Sequence, residues 1–447
     1  MHSPRVAGRS RRRLLLQAVV TLASLSAPLC AARAQSVAWA GPQNIAIERL
    51  CNYCRTSASD TAGNVVTLGT GYNGSNGAQC ILALYFSANG TLAWQRTVGY
   101  GYAYGAAVDP SGNVLITGWS EADPVPTGMS ISKYTPAGDL AWGRNFLSPP
   151  FHESSGIASD ASGNVYVVGR RASRMFVIKH DPAGAFQWAT DIEVDSSRGR
   201  AIVVDPGGES IVVGQAGPDA APATTIVAKL DAAGTVLWQR TASIPQHVYD
   251  LAVDSMGNPV VAGGNADAGL GSGTFRVLKY SSAGDFLWTR DLPLQGGRAY
   301  AVAVDSADHV VAAGTIDYPA FRSNLVVTKY DPAGDLLWYR EQDTAGIVNG
   351  NGPAQAVLIG GGDDVTVAGY SSREPGYVVT RYNAAGELMW DTRILSPSAT
   401  SACAFDLAPG LGDTVYVSGI VNGCIIGGGL QLVSVRNDTF LLNGFEG

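Results

Sequence analysis

The sequence predicts an all-β protein that is built from one repeated unit of about 50 residues. Tryptophan marks each unit once, at Trp39, Trp94, Trp142, Trp188, Trp238, Trp288, Trp338 and Trp390. A turn signature of the type D-x-x-G-N, followed by an alternating apolar run, recurs in the same register, as in DASGNVYVVG at 160–169. Self-similarity at this period is typical of repeat architectures.

Each unit contains the patterns of four short strands. The first strand is small and apolar, as in AYAVAVD at 299–305, and the second follows a tight turn. The third strand ends at lysine, as in LVVTKY at 325–330, and the fourth carries the tryptophan. Valine-rich runs between Gly, Pro and Asp clusters favour antiparallel hairpins, and no segment has a helical apolar period. Four antiparallel strands per unit predict the blades of a β-propeller.

The two ends of the chain predict eight blades that are closed by the N-terminal strand. The last repeat stops after LQLVSVR at 430–436 without a tryptophan strand, and SVAWAG at 36–41 supplies one. Pairing of the two segments would close the ring and remove an exposed sheet edge. We therefore expect a single propeller domain over residues 35–436, followed by a C-terminal tail at 437–447.

Lysine occupies a single position of the repeat, at the end of the third strand. The five lysines are Lys133, Lys179, Lys229, Lys279 and Lys329. The aspartate that begins the turn between the first two strands lies on the same face of the ring. The spacing therefore predicts an ion pair of the Lys133–Asp109 type, repeated from blade to blade. A cationic ring that binds a polyanion is the alternative.

The first 34 residues have the pattern of an export signal. A basic run, SRRRLLLQ at 10–17, precedes an apolar stretch and a small-residue site at 32–34, as signal peptides require. The basic run looks like a twin-arginine signal, and a Sec signal is the alternative. We therefore expect an exported monomer that is periplasmic, extracellular or bound at the cell surface. No later apolar run approaches the ~20 residues of a membrane span.

The charge of the remaining chain limits its partners. The signal holds six basic residues and no acidic ones, which leaves 24 Lys and Arg against 37 Asp and Glu, a net charge of −13. This balance disfavours nucleic acid and anionic membranes as partners.

The paired signatures D-x-x-G-N-V-x-V-x-G and K-Y-D-x-x-G-x-x-x-W resemble the bacterial β-propeller repeats known as SBBP repeats, over nearly all of residues 36–436. This resemblance implies an exported or surface propeller and carries over no catalytic residue. The tryptophan stretches also resemble the docking motifs of eight-bladed quinoprotein dehydrogenases. In that family two adjacent cysteines contact the quinone, and this sequence has no Cys-Cys pair. No quinone-binding residue is therefore carried over, and no cofactor is expected. The terminal FLLNGFEG at 440–447 resembles a Gly-Phe-Glu terminus of exported gammaproteobacterial proteins.

Five cysteines follow the signal, and their positions predict disulfides at the junction between blades one and eight. Cys51, Cys54 and Cys403 precede first strands, whereas Cys80 and Cys424 lie between second and third strands. Both places belong to the same face of the ring, and an oxidising compartment favours disulfides. The preferred pairs are Cys403–Cys424 and Cys80 with either Cys51 or Cys54. A redox or metal motif at Cys51 and Cys54 is the alternative.

A group of arginines and tyrosines at the start of the first strands is the candidate ligand site. The candidate residues are Arg55, Tyr102, Tyr104, Glu153, Arg198, Arg200, His247, Tyr249, Arg298 and Tyr300. The rest of each first strand is mostly Ala, Val and Gly, so this group departs from the local composition. Guanidinium groups and aromatic faces suit an anionic or sugar ligand. Solvated strand ends that pair with loop acids are the alternative.

The sequence contains no strong catalytic motif. It has no H-E-x-x-H, no P-loop and no G-x-S-x-G elbow, and its histidines lack the spacing of metal ligands. These observations favour a non-enzymatic propeller that binds or scaffolds a protein or a glycan, without a metal. A glycan lyase or hydrolase that uses Glu153 and His247 in the central funnel is the alternative.

Overall fold

The structure is a computed structural model. It describes residues 49–72, 79–88, 90–122, 125–146, 152–217, 224–245, 247–264, 273–292, 296–318, 322–347, 354–371, 376–394, 402–421 and 429–435. The predicted export signal at 1–34, the predicted closing strand at 36–41 and the tail at 437–447 lie outside the described residues. Apart from one 3-10 turn, η1 at Gly361–Asp363, the regular structure that is described consists of β-strands. Within the described part of the chain, no helix has the length and apolar character of a membrane span.

The first seven strands form two four-stranded groups that share one strand. These strands are β1 (Arg49–Ser59), β2 (Val65–Tyr72), β3 (Gln79–Phe86), β4 (Leu92–Val108), β5 (Val114–Ala122), β6 (Val125–Tyr134) and β7 (Leu140–Phe146). The long strand β4 pairs with β3 up to Tyr100 and with β5 from Gly101 onward. We call the two groups sheets 1 and 2, and number the later sheets in chain order.

The next three sheets contain four strands each. Sheet 3 contains β8 (His152–Ser159), β9 (Val165–Arg171), β10 (Arg174–His180) and β11 (Phe186–Asp195). Sheet 4 contains β12 (Ser197–Val204), β13 (Ser210–Ala216), β14 (Thr224–Leu230) and β15 (Val236–Pro245). Sheet 5 contains β16 (His247–Val253), β17 (Pro259–Gly264), β18 (Arg276–Tyr280) and β19 (Phe286–Asp291).

The last three sheets continue the pattern. Sheet 6 contains β20 (Arg298–Val304), β21 (Val310–Tyr318), β22 (Arg322–Tyr330) and β23 (Leu336–Ile347). Sheet 7 contains β24 (Ala354–Ile359), β25 (Val365–Ser371), β26 (Gly376–Tyr382) and β27 (Leu388–Ile394). The described part of sheet 8 contains β28 (Ala402–Pro409), β29 (Val415–Val421) and β30 (Gly429–Val435). Neighbours in sequence are antiparallel neighbours in every sheet, which confirms the predicted all-β class and the repeated four-stranded sheets.

The turn between the first and second strands has the predicted Asx geometry. In sheet 2, Asp109 Oδ1 accepts the backbone N–H groups of Ser111 and Asn113, each at 2.9 Å. Gly112 follows with a φ of +78°, a conformation that favours glycine. The carboxylate is therefore used to hold the turn, as expected of aspartate in this position.

Three of the five lysines form the predicted ion pair with the aspartate that begins the turn. Lys133 Nζ lies 2.7 Å from Asp109 Oδ2, and both side chains are buried. Lys279–Asp254 and Lys329–Asp305 are equivalent pairs, whereas Lys229 and Arg381 pair instead with the last residue of the turn, Glu209 and Asp364. In sheet 3 the pair is replaced, because Lys179 lies over the ring of Tyr166, whose hydroxyl donates to Asp160. These lysines are therefore internal supports of the turns.

A tryptophan on the outer strand of one sheet docks on the following sheet. Trp238 Nε1 of sheet 4 donates to Ser282 O of sheet 5 at 2.9 Å. The indole covers Gly284, whose φ is +86° and where a Cβ atom would lie 2.7 Å from the ring. Arg240 donates from Nε to Gly284 O at 2.7 Å, and its Cζ lies 5.8 Å from the indole centroid. The same indole bond joins Trp94 to Pro136, Trp142 to Pro182, Trp188 to Ala232, Trp288 to Pro332 and Trp338 to Ala384.

The first strands of successive sheets contact one another in order, and β28 contacts β1. One polar contact between sheets 8 and 1 repeats a contact between sheets 5 and 6. Asp406 Oδ2 accepts the N–H of Ser57 at 2.6 Å, as Asp250 Oδ2 accepts the N–H of Val302 at 2.9 Å. The first strands of neighbouring sheets therefore lie next to one another, and we call the region that they border the central opening.

A second contact between sheets 8 and 1 repeats a contact between sheets 3 and 4. The hydroxyl oxygen of Tyr416 lies 3.1 Å from Gly63 O, as the hydroxyl oxygen of Tyr166 lies 3.3 Å from Gly208 O. The last and first described sheets are thus neighbours of the same kind as sheets that follow each other in sequence.

The cysteines lie deeper in the sheets than the sequence suggested. Cys51 and Cys54 fall within β1, Cys403 within β28, and Cys80 is buried within β3. Strand β2 separates β1 from β3, so their Cα atoms are about 10 Å apart, beyond the ~7 Å that a disulfide bridges. A Cys80 disulfide with β1 would therefore require backbone movement.

No disulfide occurs among the described residues. The side chains of Cys51, Cys54, Cys403 and Cys424 lie outside them. The pairing of these cysteines stays a prediction.

We expect Gly284→Ala to destabilise the protein more than Gly257→Ala. Both glycines have a positive φ, +86° and +76°, so alanine costs about 1–2 kcal/mol at each position. Only at position 284 would the new Cβ also strike the docked Trp238, because the nearest atom at position 257 is 3.6 Å away. Thermal unfolding of the two variants measures the difference, and equal losses of stability would show that the docked indole contributes nothing.

Candidate functional site at the start of the first strands

Every first strand contains a β-bulge near its start. The register between the first and second strands shifts at the same position in all eight sheets. The residues skipped by this register are Arg55, Tyr104, Ser155, Arg200, Tyr249, Tyr300, Gln355 and Phe405. A bulge adds one residue to a strand and re-aims its side chain. The candidate residues Arg55, Tyr104, Arg200, Tyr249 and Tyr300 are therefore all bulge residues.

The bulge lets two consecutive side chains face the opening. In β16, Tyr249 and Asp250 are both half-buried, and they lie between the buried residues Val248 and Leu251. A regular strand would send consecutive side chains to opposite faces. The bulge thus adds a second polar level without disturbing the apolar packing on either side.

Sheets 4 to 6 bring four of the predicted residues together. The rings of Tyr249 and Tyr300 have centroids 4.8 Å apart at an interplanar angle of 58°. Arg298 Nη1 donates to the Tyr300 hydroxyl at 3.3 Å. Arg200, at the bulge of β12, is close enough for its charge to act on Tyr249. We call Arg200, Tyr249, Arg298 and Tyr300 the arginine–tyrosine cluster.

The protonation states in this cluster favour hydrogen-bond donation. Burial raises the pKa of Tyr249 to about 12, Tyr300 adds to the rise, and the charges of Arg298 and Arg200 oppose it. Burial by itself lowers the pKa of Arg298, but Tyr300, Tyr249 and Asp317 outweigh it, and the net pKa is raised. At neutral pH the cluster therefore presents neutral phenols and charged guanidinium groups.

Glu153 and His247, the acid–base pair that an enzyme would need, have other partners. Glu153 Oε1 lies 2.6 Å from Arg170 Nη2 within sheet 3. His247 Nδ1 lies 3.4 Å from Gln215 Nε2 of sheet 4. Strand β12 of sheet 4 contacts both β8 and β16 and lies between them. The arrangement gives no support to a joint catalytic role.

The remaining candidates lie where the repeat alignment predicted. Tyr102 and Tyr104 are partly exposed on the second half of β4, and Arg198 precedes Arg200 by two residues on β12. Arg55 occupies the bulge of β1, and its side chain lies outside the described residues. Among the residues that the structure describes, no group of three or more His, Cys, Asp or Glu could hold a metal ion.

Two aspartates at the opening were missed by the sequence interpretation. The residues that directly follow the eight bulges, in chain order, are Thr56, Gly105, Gly156, Ala201, Asp250, Ala301, Ala356 and Asp406. Asp250 and Asp406 are the charged members of an otherwise small set, and this contrast was visible in the aligned repeats. Each carboxylate accepts one N–H from the next residue, Leu251 or Leu407, at 2.8 Å. Each accepts a second N–H from the following sheet, as described above.

Both aspartates are difficult to ionise. Burial raises the pKa of Asp250 to about 6. Burial also raises the pKa of Asp406 to about 6, and the charge of Asp250 adds to that rise. The backbone N–H groups oppose the rise in both cases. The charge of Asp250 therefore acts on Asp406, and both side chains are half-buried.

Comparison with known proteins identifies the fold alone. No protein-family model matches the chain, and no curated protein matches it. The solved propeller of Dos1 aligns with a TM-score of 0.57 at 9% identity, over 85% of this chain and 92% of that chain. Sqt1 from Chaetomium thermophilum aligns with a TM-score of 0.57 at 12% identity, over 88% of this chain and 98% of that chain. The chain has a β-propeller fold. The resemblance to SBBP repeats stays a prediction.

The raised carboxyl pKa values predict that the difference in stability between the parent and the variant Asp250→Ala/Asp406→Ala depends on pH. Between the ordinary pKa near 3.8 and the folded value of about 6, the folded parent binds more protons than the unfolded chain. The contribution of these groups to stability is therefore present at pH 4 and falls as the pH rises to 7. We expect the melting temperature of the parent, relative to the variant, to be higher at pH 4 than at pH 7.5. A difference that does not change with pH would contradict the assignment.

Proposed function

We propose that the protein is an exported, non-enzymatic β-propeller of eight blades that binds an anionic saccharide at its central opening. The arginine–tyrosine cluster carries this proposal, because four polar side chains from three sheets come together at or beside the bulges of the first strands.

The eight-blade ring is supported by the junction between sheets 8 and 1. The Asp406–Ser57 and Tyr416–Gly63 contacts reproduce contacts between sheets that are consecutive in sequence. The segment at 36–41 would add the fourth strand of sheet 8. In the other sheets, the tryptophan of one sheet covers a glycine in the last turn of the next sheet. In the same way, Trp39 would cover Gly90 of sheet 1, whose φ of +83° is similar to the φ of those glycines.

The chemistry of the cluster supports an anionic saccharide. Guanidinium groups form paired hydrogen bonds with carboxylate or sulfate groups. Tyrosine supplies an apolar face together with a hydrogen-bond donor, which suits a ring that carries hydroxyl groups. The phenols of Tyr249 and Tyr300 are already in contact, so little side-chain ordering is required on binding.

Location and partner choice follow from the sequence. The N-terminal pattern at 1–34 favours export, and the acidic net charge of the remaining chain disfavours nucleic acid. An exported monomer meets the acidic glycans of envelopes and surfaces. A binding role without catalysis agrees with the separate partners of Glu153 and His247.

We expect Arg200→Ala/Arg298→Ala to weaken binding of acidic oligosaccharides by at least about tenfold. The reason is that each lost charge-assisted hydrogen bond contributes about 1.5–3 kcal/mol. The matched control is Arg171→Ala/Arg174→Ala, which removes the same charge from sheet 3, where these arginines pair with Asp191 and Asp195. Binding is measured on an array of acidic and neutral glycans.

The outcome separates local contacts from net charge. Equal weakening of glycan binding in both variants would show that binding depends only on net charge. This result would contradict the proposed site. A parent that binds no acidic glycan would contradict the proposed function itself.

A further inference from the structure

A histidine replaces a tyrosine in one of the contacts between consecutive sheets. The residue after the last lysine or arginine of the third strand is tyrosine in four sheets, at Tyr134, Tyr280, Tyr330 and Tyr382. Three of these rings lie beside the tryptophan of the preceding sheet, with centroids 6.1 Å apart for Trp94–Tyr134 and Trp288–Tyr330 and 6.0 Å apart for Trp338–Tyr382. His180 of sheet 3 makes the same contact with Trp142 of sheet 2, at 6.1 Å. Its interplanar angle of 31° matches the 32° of Trp94–Tyr134.

A second histidine extends this contact toward the other end of the two sheets. Phe146 of β7 has its ring centroid 5.9 Å from His180 and 5.7 Å from His152, which begins β8. His152 also lies 5.5 Å from Phe176 of β10 in an edge-on arrangement. The junction between sheets 2 and 3 therefore contains a row of rings, Trp142, His180, Phe146, His152 and Phe176, which we call the histidine–aromatic row.

Both imidazoles are held in apolar surroundings. His180 is 1% exposed, and His152 is half-buried. The Nδ1 atom of each is buried and has no hydrogen-bond partner within the described part of the chain. Protonation would leave a charged N–H donor unpaired at this atom, and burial makes such a group unfavourable. A tyrosine in the same position stays neutral at acidic and neutral pH.

The charged groups that face His180 come from both sheets. Burial lowers the pKa of His180 to about 4, the charge of Arg144 on β7 adds to the fall, and Asp181 opposes it. Lys133 also reaches the turn that follows His180, and its charge is paired with that of Asp109. His180 is therefore neutral in the folded protein over most of the acidic range.

The charged groups that face His152 belong to sheet 3. Burial and the charge of Arg171 lower the pKa of His152, and Asp191 opposes them. Arg171 and Asp191 form an ion pair with each other, so the aspartate is already used by another cation. Both histidines of the row thus favour their neutral form.

We propose that the junction between sheets 2 and 3 is an acid-sensitive switch, which is closed at neutral pH and loosens when its histidines bind protons. In the loosened junction His180 regains its ordinary pKa of 6.5, above the value of about 4 in the closed junction. The loosened state therefore binds more protons between these two values. Stabilisation that is present above pH 6.5 is lost as the pH falls toward 4. The junctions with tyrosine at this position lack this dependence, and the inference does not depend on the ligand of the opening.

The test measures amide hydrogen exchange of the parent and of His180→Tyr at pH 7.5 and at pH 4.5. Tyrosine is the residue that four other sheets carry at this position. The two proteins are compared at the same pH, so the pH dependence of chemical exchange cancels. His180→Leu, which introduces the residue that sheet 4 carries at Leu230, is measured in parallel. Melting temperatures at pH 7.5 confirm that the variants fold.

We expect the amides of β7 and β10 to exchange at least about tenfold faster in the parent than in either variant at pH 4.5, because the two pKa values of His180 differ by about two units. At pH 7.5 these amides should exchange at similar rates in all three proteins. The amides of β22 and β23 in sheet 6 should exchange alike at both pH values, since the contact of that sheet with sheet 7 contains Tyr382.

The matched control is His309→Asn, which removes a histidine that lies outside the histidine–aromatic row. His309 pairs with Asp305 in the turn between β20 and β21. Asparagine is the residue of sheets 1, 2, 3 and 5 at this position, as at Asn258. The amides of β7 and β10 should exchange in this variant as they do in the parent.

Three results would overturn the inference. Equal exchange of β7 and β10 in the parent and both His180 variants at pH 4.5 would show that His180 does not control the junction. Slower exchange in the parent would show that the neighbouring rings stabilise an imidazolium more than burial disfavours it. Faster exchange in the parent that extends equally to β22 and β23 would assign the effect to global unfolding instead of this junction.

Discussion

The contact between a tryptophan of one sheet and a glycine of the next is the interaction on which the rest of the structure depends. Trp238 lies flat on Gly284 because that glycine has a positive φ and no Cβ atom. The indole N–H and the guanidinium of Arg240 bind carbonyl groups of the same turn. Among the described residues, sheets 1 to 7 are thereby attached to one another in order, and their first strands lie side by side. The buried lysine–aspartate pairs stabilise the turns from inside.

The bulges separate the demands of the scaffold from those of a binding site. Residues beside the bulge, such as Val248 and Leu251, remain buried in the sheet packing. The bulge residue itself contributes little to that packing, so arginine, tyrosine, serine and phenylalanine all occur there. Constant rim contacts and variable bulge residues are therefore compatible within one repeat.

Much of the fold could be predicted, because the rules that determine it are local and repeated. The Lys133–Asp109 pair and the turn at Gly112 follow from spacing alone. The bulge could not be predicted, since a single extra residue leaves the apolar alternation of a short strand almost unchanged. The partner of Glu153 depends on a cross-strand register that places Arg170 opposite it. Asp250 was overlooked for a similar reason, because in a regular strand it would not face the same side as Tyr249.

A closed ring held by rim docking is tested most directly by the melting temperature of the chain that lacks residues 35–42. The account predicts a fall of many degrees, because this segment is proposed to supply the outer strand of sheet 8 and the indole that covers Gly90. The matched control is a chain that lacks residues 440–447, which should melt like the parent. A chain without residues 35–42 that is as stable as the parent would contradict closure by this strand.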